Sequence, residues 1–74
     1  MLLTDLSVND CAVIVKMQLS EKLKRRLGVM GVTKGVKVTL IRRAPLGDPL
    51  EIKVRGFYLA LRLSEAQKIT VVKV

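Results

Sequence analysis

The sequence predicts an all-β domain: a small five-stranded barrel with one short α-helix after the first strand and a 3₁₀ turn before the last. Three observations carry that expectation. Short runs rich in Val, Ile and Leu recur between turn residues, at lengths that suit strands rather than helices. One stretch, "LEIKVRGFYLALRL" (50–63), reads as a self-complementary hairpin. Five short strands cannot enclose a core as a flat sheet, so they should curl into a small barrel.

The elements follow in order. "CAVIVKM" (11–17), after the turn-like "SVND" (7–10), is an apolar, β-branched first strand. In "LSEKLKRRLGV" (19–29) the period changes to helical. Ser20 is the expected N-cap, Glu21 suits the positive end of the helix dipole, and Arg25 and Arg26 suit the negative end. Leu23 and Leu27, four apart, form the docking face, and Gly28 is the expected left-handed residue that ends the helix. "MGVTKG" (30–35) is a turn region with Gly35 at positive φ. "VKVTLIRR" (36–43) alternates, with Val36, Val38 and Leu40 on one face.

In the loop "APLGDP" (44–49), Pro45 sets a turn corner, Gly47 supplies a positive φ, and Pro49 holds Asp48 extended so that a strand starts at Leu50. The hairpin is expected to turn on Gly56-Phe57 as type II′. That register sets Val54 against Leu59, Ile52 against Leu61, Leu50 against Leu63 and Glu51 against Arg62. "SEAQ" (64–67) has a capping-box pattern one turn long, read as the 3₁₀ turn. "KITVVKV" (68–74) is the last strand.

At 74 residues the chain is expected to be one domain, 1–74, burying only about 60% of its unfolded surface. No apolar run approaches the roughly 18 residues of a membrane span. "MLLTDLSVND" lacks the basic start of a signal peptide, and a lone Cys11 fits a reducing compartment, so a cytoplasmic protein is expected. Fourteen Lys and Arg against six acids give a net charge of +8, which implies an anionic partner or surface, or simply keeps a small domain in solution.

The residue inventory argues against catalysis. There is no histidine, which removes the usual acid–base group near neutral pH, the common nucleophile activators and the commonest metal ligand. Cys11 lies in an apolar run and reads as a small buried hydrophobe. The acids Asp5, Asp10, Glu21, Asp48, Glu51 and Glu65 are dispersed, with no paired spacing. No phosphate loop, zinc spacing or EF-hand loop is present. The expectation is a protein that is not an enzyme, takes no cofactor and has no all-protein metal site. Weak association of a metal through carboxylates such as Asp48 stays open.

Leu27-Gly28, Met30-Gly31, Gly35, "APLGDP" (44–49), Gly56, "ALR" (60–62) and "EA" (65–66) form a combination that closely resembles the FeoA family, the small ferrous iron transport protein A of bacteria. The likeness runs from about residue 19 onward. Lys34 stands where the family often has proline, and Asn9-Asp10 where it often has a glycine turn; both still suit turns. The resemblance implies an SH3-like barrel, in agreement with the strand count. It also implies a cytoplasmic accessory of FeoB, the membrane GTPase-permease that imports Fe²⁺, and a fold shared with the C-terminal domain of DtxR-type iron-dependent repressors.

The leading expectation is therefore a protein-interaction module that docks on FeoB and regulates it. The expected surface lies where the helix end meets the proline loop: Arg25, Arg26, Leu27, Met30, Leu46 and Asp48, with Leu27 weighted toward the core. Basic residues would also favour the anionic inner leaflet, by about 1 kcal/mol each close to the surface. The competing class is a basic barrel that binds nucleic acid. It is disfavoured because only Phe57 and Tyr58 could stack bases. A metal-sensing domain like those of the repressors ranks lower still, for want of ligands. Self-association through an apolar patch or a barrel edge stays open.

Overall fold

A computed structural model describes all residues, 1–74. A 3₁₀ turn at Leu3–Asp5 leads into β1 (Cys11–Met17), α1 (Glu21–Val29), β2 (Lys37–Arg43), β3 (Leu50–Val54), β4 (Phe57–Leu61), α2 (Leu63–Ala66) and β5 (Ile69–Lys73). The strands form one antiparallel sheet in the order β4-β3-β2-β1-β5. Strand number and the helix after β1 agree with the expected SH3-like barrel. Its extents, 29 × 25 × 23 Å, are nearly equal, as a sheet folded over its own inner face requires.

Two bulges bend it. The β1–β5 register shifts between Ile14 and Lys16, and the β2–β3 register between Leu40 and Arg42, so Val15 and Ile41 are the extra residues. The alternation in the sequence decides which face is buried. Ala12, Ile14, Val38, Leu40, Leu50, Ile52, Val54, Leu61, Ile69 and Val71 point inward, and Leu3, Leu6, Leu27, Val32 and Ala66 close the core from outside the sheet. Cys11, expected to be buried, is half-buried on the outer face, because it is Ala12 that takes the inward position; its Sγ lies 3.3 Å from Thr39 Oγ1.

α1 starts as the sequence indicates: Ser20 Oγ accepts the Leu23 N–H at 3.2 Å. Its end corrects the expectation at Gly28. That glycine is inside the helix, and Gly31 (φ +90°) is the left-handed residue. The Val32 N–H donates to the Leu27 carbonyl at 2.9 Å and the Gly31 N–H to the Gly28 carbonyl at 3.0 Å, the two bonds of a Schellman motif. The apolar contact that decides between the two glycines joins Leu27 and Val32, both buried.

The hairpin also differs from its expected register. Arg55 (φ +51°) and Gly56 (φ +84°) are its central residues, both at positive φ as a type I′ turn demands. Val54 therefore pairs with Phe57, Ile52 with Leu59 and Leu50 with Leu61. Each inward residue keeps its face, since the pairing moved by two. Glu51 meets Ala60 across the strand and ion-pairs with Arg42 (3.4 Å) instead of Arg62. The shorter hairpin frees residues 62–67, and the turn before β5 is a single α-helical turn instead of a 3₁₀ one: the Ala66 and Gln67 N–H groups donate to the carbonyls four residues back.

Candidate functional site

The expected contact residues lie on two elements, α1 and the β2–β3 loop, and α2 joins them. Arg26 Nη2 donates to Glu65 Oε2 at 2.9 Å, while Glu65 Oε1 accepts the Arg62 N–H at 3.1 Å. On the other side of the same turn, Asp48 Oδ1 accepts the Leu63 N–H at 2.9 Å. One helical turn thus ties the basic helix to the proline loop, through a carboxylate that is nearly buried at Glu65 and exposed at Asp48. Each carboxylate satisfies an amide that the first turn of α2 leaves unpaired.

The six expected residues part company here. Leu27 is 1% exposed and belongs to the core, so it is corrected from contact to packing residue: the helix docks by that face. Arg26 is engaged with Glu65, and Asp48 with α2. Arg25, Met30 and Leu46 are exposed, Leu46 at 96% on the loop tip. The loop that carries it is held by Gly47 N–H to the Ala44 carbonyl (2.7 Å) and Ala44 N–H to the Pro49 carbonyl (3.0 Å).

A second surface shares only Met30 with the expected contact residues. Val29, Met30, Phe57, Tyr58 and Leu59 line an open apolar groove of about 310 Å³ between the end of α1 and β4. Val29 (89% exposed), Phe57 (70%) and Tyr58 (61%) are large apolar groups left in water together. The two elements approach at Gly31, where a Cβ would stand in ordinary contact with Val54 Cγ1 (3.6 Å) and Arg55 Cδ (3.5 Å). The signal in the sequence was an apolar pair at the helix end, Val29-Met30, and the chain's only aromatic pair at the hairpin, distant from each other along the chain.

Charge is unevenly satisfied. Every acid is engaged within the chain: Asp5 with the Leu2 N–H, Asp10 with the Ser7 N–H and Lys73, Glu21 with Lys24, Glu51 with Arg42, and Asp48 and Glu65 as above. Only four of the fourteen basic side chains have a carboxylate within 4.0 Å. Among the others, Lys37, Lys53 and Arg55 stand together around Thr39 on the outer face of β2 and β3, with Lys53 Nζ 5.5 Å from the Tyr58 ring centroid. The positive charge on this face has no internal answer.

No three His, Cys, Asp or Glu side chains converge. Asp10 lies in the turn before β1. The Ser7 N–H first, and then Lys73, hold its carboxyl below the ordinary range against the opposing effect of partial burial. This is a turn device, distant from the groove. No helix is long and apolar enough to cross a membrane.

Residues 1–73 match the model of the FeoA domain. The chain is 34% identical over 71 residues to the Fe(2+) transport protein A/Fe(2+) transporter FeoB fusion protein of Porphyromonas gingivalis, with 96% of this chain covered but only 8% of that protein's length. Its fold superimposes on the solution structure of a FeoA protein from Chlorobium tepidum with a TM-score of 0.95, at 36% identity over the whole of this chain and 70% of the other. It also superimposes on a zinc-complexed FeoA of Stenotrophomonas maltophilia, described as a procaryotic SH3 domain protein (TM-score 0.76, 33% identity, 97% and 89% covered).

Proposed function

The chain belongs to the FeoA domain family of ferrous iron transport, and from that premise we propose that it is an accessory module that docks on a FeoB-type transporter and tunes its uptake cycle. The observation that carries the reading is the fusion relative, in which a domain 34% identical to this one shares a polypeptide with FeoB. Covalent linkage holds two modules at millimolar effective concentration, which is of use when both act on one event. The surface supports action by contact: apolar side chains and cations without a carboxylate partner are exposed. Such a module would work at the inner face of the membrane wherever its transporter sits.

The test has two arms. Uptake of Fe²⁺ is followed in cells that express FeoB with and without this chain, and the chain is used to capture detergent-solubilised FeoB. Capture together with a change in uptake is the expected result. Uptake that is indifferent to the chain, with no capture at low salt, sinks the reading. Charge reversal at Arg25 reports on the basic helix without disturbing an internal ion pair, unlike Arg26.

A further inference from the structure

We propose that the free edge of β4, with the apolar groove beside it, takes an extended acid-flanked segment of a protein partner as a sixth strand; this specifies a surface for the docking reading above and rests on it. The two edges of the sheet are treated differently. At β5 the edge is closed by the chain's own start: the Val71 N–H donates to the Met1 carbonyl at 2.8 Å, and Leu2 forms a bridge with Thr70. At β4 nothing covers it, since β4 pairs with β3 alone. In a two-residue hairpin the residues flanking the turn, Val54 and Phe57, are a hydrogen-bonded pair, and the bonding alternates from there. The N–H and C=O of Phe57, Leu59 and Leu61 therefore face β3, and those of Tyr58 and Ala60 face outward. An edge that natural sheets usually blunt is here left open beside an apolar groove.

Charge selects the kind of strand. Arg25 lies one helical turn before Val29, on the same side of α1, and Lys53 and Arg55 flank Tyr58 and Phe57. None of the three has a carboxylate within 4.0 Å. A segment with apolar residues for the groove and acids at its ends answers both needs. A second copy of this chain does not, because two chains that each carry a net charge of +8 repel.

The probe is a ten-residue peptide of alternating Val and Thr with two Glu at each end, beside a twin carrying Lys in place of Glu. Binding is read by amide NMR shifts, with FeoB capture run in parallel. Ala60→Pro removes an outward N–H without touching the β3 ladder, and Met30→Asp puts a charge in the groove. The Glu peptide should shift the amides of Met30, Tyr58 and Ala60, and both variants and the Lys twin should bind at least about tenfold more weakly. Amide dispersion checks each fold, and if Ala60→Pro unfolds, Met30→Asp carries the test. No shifts at β4, equal binding by the variants, or self-association through β4 would overturn the inference. FeoB captured equally by wild type and variants overturns it too while leaving the docking reading intact. Peptide binding at β4 with no FeoB capture upholds the edge site and removes FeoB as its partner.

Discussion

The Asp48 carboxylate accepts the amide N–H of Leu63 at 2.9 Å, joining the β2–β3 loop to the first turn of α2 across the top of the sheet. The one acid in the proline loop is thus a remote helix cap. At the tip of the loop Leu46 stands 96% exposed.

Asp48→Ala should cost about 0.5–2 kcal/mol, the range for losing a helix cap, while Asp48→Asn, which keeps an acceptor oxygen, should cost less. Urea unfolding of the two variants compares them directly. Equal losses would mean that charge, rather than the hydrogen bond, holds the loop.

Leu27 and Leu46 should separate stability from surface. Leu27→Ala empties a core position and should cost roughly 2–5 kcal/mol. Leu46→Ser, at a residue 96% exposed, should stay within about 0.5 kcal/mol of wild type. A large loss at Leu46 would show that the loop tip packs against the domain.

Arg55 holds a left-handed conformation (φ +51°) that L-residues other than Asn, Asp and Gly adopt at a cost. Arg55→Asn gives the Asn-Gly pair that type I′ turns favour and should stabilise the domain by about 0.5–1 kcal/mol. That is a rise of several degrees in thermal midpoint for a domain this small. Loss of stability would mean that the Arg55 side chain contributes more through its packing over Gly31 than it loses at its backbone.

Asp10 supplies an acid limb. Its folded-state carboxyl is depressed, so below its ordinary pKa of 3.8 the unfolded chain binds the proton first. Stability from this group is complete above that value and is lost as pH falls through the folded pKa. Wild type should therefore exceed Asp10→Asn near neutral pH, and the two should converge as pH falls below 4. A gap that stays constant from pH 7 to pH 2 would remove the Ser7 and Lys73 contacts as its cause.

The strands, the Ser20 cap and the inward faces could be read from the chain because each rests on neighbours in sequence. The hairpin register could not. Strand faces repeat every two residues, so moving Ile52 from Leu61 to Leu59 leaves every hydrophobic residue inside, and only the willingness of Arg55 to go left-handed separates the two pairings. Gly28 and Gly31 posed a similar choice, decided by a contact between Leu27 and Val32 that exists only after the chain turns. The groove was hidden for a related reason: Val29 and Met30 meet Phe57 and Leu59 only once the hairpin folds over the end of α1. Of the residues expected at the surface, Arg25, Met30 and Leu46 are exposed there, Arg26 and Asp48 are exposed but bonded to α2, and Leu27 is buried in the core.

Closure of the β5 edge by Met1 and Leu2 sets a limit on growth. A sheet open on both sides can stack copy on copy without end. With Thr70 and Val71 engaged by Leu2 and Met1, a strand joining β4 would find the middle of the opposite edge already taken, and two copies meeting β4 to β4 would form a finished pair. Residues 1 and 2 would therefore obstruct stacking of copies edge to edge through the sheet.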